Sequence, residues 1–273
     1  MRDLLKSNPI AQITVTSFVL LTVWWLVLQR VAVPGGYSTY LFGAVYGPFM
    51  TVFGGLFGLY SAKIWGSWKS MMGKAVIMLS CGLLAQALGQ VSNSVYNLFL
   101  GIEVSYPGIP DIGFFGSIPI YIYALWLLAK ASGVKINSRS WHTQLQAVII
   151  PTIGLIGSYY LFLQVYEFDW TQPLTIALDF GYPLGQALYV SLAILVYSLS
   201  RKSLGGVMKN PIQFLIASLV VQYLSDFAFL YANSHNGYFV GGTVDYLYLV
   251  AYTLMTLGLI QLHRVGKALH SMK

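Results

Sequence analysis

Apolar runs of about 20 residues, the length a hydrocarbon core demands, recur along the chain between short polar breaks. Eight fall near 11–30, 37–60, 75–98, 111–130, 146–165, 174–199, 212–231 and 244–263, and each predicts a membrane-crossing helix. Three of them open on an acid and close on a base: Asp111 to Lys130, Asp179 to Arg201 and Asp245 to Arg264. Asp111 and Asp179 are 68 residues apart and Asp179 and Asp245 are 66 apart, so the pattern returns about every 67 residues. One period before Asp111 stands Ala44, and AVYGPFMTVFGGLFGLYSAK runs from there to Lys63 as a diverged copy without the acid. Pro48 follows Ala44 by four residues and Pro183 follows Asp179 by four, which supports the register. Each removes a backbone hydrogen bond and predicts a kink, tolerated where neighbouring helices satisfy the freed carbonyl. The predicted fold is an all-α integral membrane bundle of eight helices in four hairpins, near 11–60, 75–130, 146–199 and 212–263, within one domain over 1–273.

Charge placement gives the orientation. Fourteen of the fifteen Lys and Arg lie at the termini or in alternate loops, with Arg30 the exception. The loops after the second, fourth and sixth runs hold Lys63, Lys69 and Lys74, then Lys130, Lys135 and Arg139, then Arg201, Lys202 and Lys209. The positive-inside rule makes these segments and both termini cytoplasmic, which an even number of crossings satisfies. The opposite loops carry Glu103, Glu167 and Asp169 with Pro, Gly and aromatic residues, as outward turns do. Tyr106, Tyr166, Trp170 and Tyr238 suit an outer aromatic belt, and Trp65, Trp68 and Trp141 an inner one.

Composition agrees: 57% of residues are hydrophobic and 8% charged, far below the roughly 25% of soluble domains. The net charge of +7 is thus a topological signal, and no nucleic-acid partner is expected. The basic N-terminus is followed by an apolar run without a small-residue cleavage site, which predicts an uncleaved first helix. Cys81, the single cysteine, sits in an apolar run and can form no intrachain disulfide.

Ionisable groups at membrane depth are expensive, so they are the first functional suspects. Asp111 and Asp245 fall where a helix begins, and a cap at the outer interface explains them. Asp179 lies nearly two turns into a helix starting at Pro173, and Asp226 about four turns into the seventh run, with Gln222 one turn earlier on the same face. The third run carries a polar stripe, Gln86, Gln90, Asn93 and Asn97, which predicts a face turned to the bundle interior. Gln164 and Gln186 can extend it. The candidate ligand-binding residues are Asp226, Asp179, Asp245, Gln90, Asn93 and Gln222. Tyr121, Tyr123, Tyr182, Tyr189, Tyr246, Tyr248 and Tyr252 cluster in the helices that open on an acid, where they either line a pocket or pack as core.

Other chemistries find little footing. The last run lacks the lysine of a retinal protein, no two histidines have metal-ligand spacing, and the glycine-rich pieces lack phosphate-loop or nucleophile-elbow context. No metal or cofactor is expected. Gly54 and Gly58 form a GxxxG spacing that predicts close helix packing.

The segments YPGIPDIGFF, LDFGYPLG and VDYLYLVAYTLMTLGL, each an acid with an aromatic or proline about a turn away, make residues 75–265 resemble the multi-helix sensory input regions that precede diguanylate cyclase (GGDEF) or histidine kinase domains in bacteria and archaea. That resemblance implies a non-enzymatic module of a prokaryotic cytoplasmic membrane, which senses a membrane-borne or external cue and relays it inward. No output domain follows the last run, so the partner is expected to be a separate cytoplasmic output protein or a larger membrane complex, with an unidentified small or lipophilic ligand. Two alternatives stand beside it: a small transporter or channel with a polar site between paired halves, and an accessory subunit of a membrane complex.

Overall fold

The computed structural model describes residues 8–102, 104–131, 168–203, 207–235 and 237–271, with isolated positions between 145 and 160. The predicted fifth run at 146–165, with Gln164, lies outside the described residues apart from those positions, as do Glu103, Lys135, Arg139, Trp141, Tyr166 and Glu167. Every regular element among the described residues is helical. In chain order these are α1 (Pro9–Val31), α2 (Tyr37–Ala62), a 3-10 turn (Ser67–Lys69), α3 (Met71–Ser94) continuing as a π-turn segment (Val95–Leu100), α4 (Ile109–Ala131), α5 (Pro173–Ser203), α6 (Lys209–Ser234) and α7 (Thr243–Ser271).

All seven α-helices are long and apolar enough to cross a membrane. The two shortest, of 23 residues, rise about 34 Å, against a hydrocarbon core of about 30 Å. Apolar side chains such as Leu20, Val31, Leu56 and Ile112 remain more than half exposed, as lipid-facing residues do. The chain is an all-α integral membrane protein. Pro48, Pro119 and Pro183 lie inside α2, α4 and α5.

Six helices form a closed ring. Each of α2 to α7 packs against its successor, and α7 packs back against α2. Outside the ring α1 lies against α7 and α2. Its start is capped by Asn8, whose side chain accepts from the amides of Ile10 and Ala11, with Pro9 placed where a missing N–H costs nothing. Its far end is fastened by Gln29 and Trp25, which donate to the carbonyls of Gly241 and Gly242 at 2.8 and 3.3 Å. Trp25 also stacks on Tyr246 of α7, with ring centroids 4.3 Å apart.

Lipid tails are as apolar as leucine, so helix association here rests on close packing and interhelical hydrogen bonds. Glycines supply the closeness. A Cβ on Gly54 would stand 2.1 Å from Thr256 Oγ1 of α7, and one on Gly58 2.2 Å from Ser80 Oγ of α3, so α2 is approached from two sides along its GxxxG face. Gly82 and Gly89 of α3 receive the rings of Tyr121 and Phe114 from α4. Between them the two backbones meet: a Cβ on Gly113 would lie 2.4 Å from both the Ala85 carbonyl oxygen and the Gly89 amide. The largest wholly buried side chains are Tyr46, Tyr121, Tyr189 and Tyr252, one each from α2, α4, α5 and α7.

Because only backbone surrounds Gly113, no side-chain rotation can relieve a clash there. Gly113→Ala is expected to destabilise the protein by about 2 kcal/mol or more, while Gly116→Ala, which meets open space, is near neutral. Thermal unfolding of the two purified variants in detergent checks the contrast.

Candidate functional site

Asp111, Asp179, Asp226 and Asp245 have one feature in common. Each accepts a hydrogen bond from a tyrosine hydroxyl of a different element: Tyr182 to Asp111, Tyr106 to Asp179, Tyr248 to Asp226 and Tyr46 to Asp245. The lipid-facing alternative for such a carboxylate is costly, and a phenol on the next helix both neutralises part of that cost and joins the helices.

Asp111 and Asp245 share a fuller arrangement. Both lie in the first turn of their helix, where unpaired amides and the macrodipole favour a carboxylate. Asp111 Oδ2 accepts from the Gly108 amide at 2.8 Å and Oδ1 from Tyr182 of α5 at 2.8 Å. Asp245 Oδ2 accepts from the Gly241 amide at 2.5 Å and Oδ1 from Tyr46 of α2 at 2.9 Å. Reaching back to an amide just before the helix is the return half of a capping box. Gly241 has φ +84°, a left-handed conformation that suits glycine, and this turn aims its amide at the carboxylate. The two carboxylates thus clamp two seams of the ring, α4 to α5 and α7 to α2. Asp245 is a cap, and it is also 4% exposed, so its role extends from the helix end into the core.

Beside Asp245 a narrow cleft opens between α2, the end of α3 and the α6–α7 turn, lined by Tyr40, Gln90, Asn93, Asn97, Tyr238 and Asp245. It holds a volume of about 10 Å³ at water radius, room for about one water molecule. Gly43 and Gly47 of α2 shape it: a Cβ on the first would strike Val240 and on the second the Gln90 amide. The π-turn segment after Ser94 carries Asn97, whose side chain meets Asn93 at 3.5 Å. Such turns are frequent at functional sites.

From the cleft a chain of hydrogen bonds runs into the bundle. Gln90 donates to the Tyr252 hydroxyl at 3.1 Å, Tyr252 donates to Gln86 Oε1 at 3.0 Å, Gln86 donates to Ser117 Oγ at 2.7 Å, and Ser117 donates to the Phe114 carbonyl at 2.8 Å. It links α3, α7 and α4. Gln86 and Gln90 are 3% and 7% exposed, so this half of the stripe faces the interior and the Asn93–Asn97 half faces the cleft.

Asp226 has a separate set of partners. It accepts from Gln186 Nε2 of α5 and from the Tyr248 hydroxyl of α7, both at 2.5 Å. Tyr248 stacks at 6.1 Å on Tyr252, which leads back to the Gln86 chain. Gln222, one turn from Asp226, is buried. Of the predicted ligand-binding residues, Asp245, Gln90 and Asn93 therefore come together at one cleft, and Asp226 and Gln222 lie along α6. Asp179 joins neither group; it is partly buried, held by Tyr106 at 2.7 Å on the loop before α4.

No protein-family model, curated protein or solved structure matches this chain. The functional reading therefore rests on geometry. The loop acid Asp169 binds its own turn: hydrogen bonds from the Thr171 side chain and amide and from Gln172 hold its carboxyl below the usual range, and they occupy it locally. Among the described residues no group of His, Cys, Asp and Glu has the shape of a metal site. Amides and phenols dominate the cleft, a set suited to hydrogen-bonding a small polar guest.

Sequence reasoning found the amide stripe but passed over Tyr46 and Ser117. It also read Tyr106 as belt. The available signal was the three-residue step from Asp179 to Tyr182 and from Asp245 to Tyr248, which puts an acid and a phenol on one helical face, each free to serve a different neighbour.

Tyr252 both accepts and donates in the buried chain. Tyr252→Phe leaves Gln86 Oε1 without its donor and Gln90 Nε2 without its acceptor, and an expected loss of about 1–3 kcal/mol follows. A double-mutant cycle with Gln86→Leu, read by thermal unfolding, should recover part of it.

Proposed function

We propose that this protein is a non-enzymatic sensory or ligand-binding module of the membrane, taking a small or lipophilic ligand whose polar end reaches the cleft beside Asp245 and passing its occupancy into the bundle. One observation carries the reading: Gln90 lines the cleft and is also the first donor of the buried chain through Tyr252, Gln86 and Ser117. A guest that hydrogen-bonds the Gln90 amide changes what Tyr252 receives, and so biases the contact between α3 and α7. A ligand shifts such an equilibrium only by its differential affinity for the two arrangements, which a shared residue provides. The relay then ends on a separate cytoplasmic output protein or membrane-complex partner.

A second reading, a small transporter or channel, is favoured by the order of helices in the ring. The triplets α2–α3–α4 and α5–α6–α7 follow one another, and their landmarks are offset alike: Ala44 to Asp179 by 135, Asp111 to Asp245 by 134, and Gln86 and Gln90 to Gln222 and Asp226 by 136. Two three-helix halves about an axis along the membrane normal are a parallel repeat, and transporters place their sites between such halves. The same register pairs α1 with the run at 146–165. That supports eight crossings, four hairpins of about 67 residues and both termini on the cytoplasmic side of a prokaryotic membrane.

The first test is a thermal-shift panel of small polar and lipophilic compounds on the purified chain. The module reading expects a saturable shift that Asn93→Leu, which fills the cleft, abolishes while the variant still unfolds cooperatively. The panel compounds that shift the protein are then offered to proteoliposomes: accumulation lost in Asn93→Leu favours the transporter, and binding without flux favours the sensor.

Orientation is checked in a Cys81→Ser background with an impermeant thiol reagent. Ser105→Cys is expected to label in intact cells and Lys69→Cys only after permeabilisation; the reverse order would invert the topology.

A further inference from the structure

Asp226 stands apart from the other aspartates in what surrounds it. Asp111 and Asp245 sit at helix starts and each takes a backbone amide. Asp226 is the eighteenth residue of α6, far from either end, and its partners are one amide and one phenol, Gln186 and Tyr248. Both are neutral, and among the described residues no Lys, Arg or His pairs with it. Neutral donors lower the cost of a buried carboxylate without cancelling its charge, and at membrane depth the remainder is large.

A second, independent observation points to the same place. Among the described residues the hydroxyls of Tyr121 and Tyr189 are buried without any hydrogen-bond partner, on side chains that are 0% exposed. Tyr189 stands one turn after Gln186, the α5 side chain that donates to Asp226, and Tyr121 packs against it. Buried hydroxyls are nearly always satisfied, and two orphans together ask for a missing partner. The two tyrosines are 68 residues apart, ten positions after Asp111 and Asp179, and pack edge to face at 6.0 Å.

We infer that Asp226, with the Tyr121 and Tyr189 hydroxyls, forms a binding site for a small monovalent cation between α4, α5 and α6. One carboxylate balances one positive charge, whereas a divalent ion would leave an excess buried in the bundle. Phenolic and carboxylate oxygens are the hard donors that an alkali cation prefers. This assignment rests on the binding-module reading and names a ligand for its interior.

The test is thermal unfolding of the purified full chain at fixed pH and ionic strength, with choline chloride replaced stepwise by LiCl, NaCl or KCl. One alkali ion is expected to raise the midpoint saturably by several degrees, as a ligand bound only to the folded state does. Asp226→Asn, nearly isosteric and uncharged, should fold and lose the response. Tyr121→Phe and Tyr189→Phe should each weaken the apparent affinity about tenfold. Their midpoints in choline should be unchanged or higher, because removing an orphan hydroxyl relieves a desolvation penalty. Equal midpoints in all four salts for the wild type, a response that survives Asp226→Asn, or unchanged affinity in both Tyr→Phe variants would each overturn the assignment. Stability that follows pH alone would do so too, showing that a proton suffices. None of these outcomes touches the cleft, whose reading is decided by Asn93→Leu, so the two can fail separately.

Discussion

A carboxylate inside a membrane bundle must find donors from the protein, and here that requirement is met between helices. Asp111 and Asp245 bind an amide of their own turn with one oxygen and a tyrosine of the neighbouring helix with the other. Either bond alone would be a local matter. Taken together they make the position of α5 depend on the start of α4, and that of α2 on the start of α7, closing the ring at two of its seams. The position of α1 depends on the same device, since Trp25 and Gln29 grip the carbonyls of the turn whose amide serves Asp245.

Polar ties hold helices only if the backbones come near enough, and the glycines determine where that happens. The Gly54 and Gly58 face of α2 admits Thr256 and Ser80, and Gly82 and Gly89 of α3 admit the rings of α4. Large tyrosines and absent side chains are therefore two parts of one packing solution. The Tyr121 ring fills the hollow at Gly82, while Tyr46 and Tyr252 use their hydroxyls for bonds across the bundle. Hydroxyl and ring separate the tasks of joining and filling.

Much of this was legible in the chain. Length and hydropathy located the seven described helices, and a four-residue polar rhythm identified the inward side of α3. The caps at Asp111 and Asp245 followed from their neighbours Pro110 and GGT. Pairing was not legible, because nothing in a one-dimensional pattern says that Tyr46 meets Asp245, 199 residues away, or that Asp179 turns to a loop tyrosine and leaves the interior. Lipid and core are both apolar, so the two sides of such a helix differ little in hydrophobicity, and its faces must be read from polar and small residues alone. That is why the amide stripe was visible and the tyrosine partners were not.

The sharpest physical contrast lies between the two middle helices. Gln86 and Gln90 on α3, and Gln222 and Asp226 on α6, stand at the same spacing and, on the proposed register, at the same place in each half. On the α3 side every bond is matched: Gln90, Tyr252, Gln86 and Ser117 each hand a proton donor to the next acceptor. The α6 side carries an acid in place of a neutral amide, and the Tyr121 and Tyr189 hydroxyls of α4 and α5 have no partner among the described residues. Stability alone favours the first solution, since an amide at 226 would accept from Tyr248 through its oxygen and require no counter-charge. On the proposed assignment, an acid held only by neutral donors, with unsatisfied hydroxyls on the adjoining helices, is what a site looks like when its occupant supplies the missing interactions.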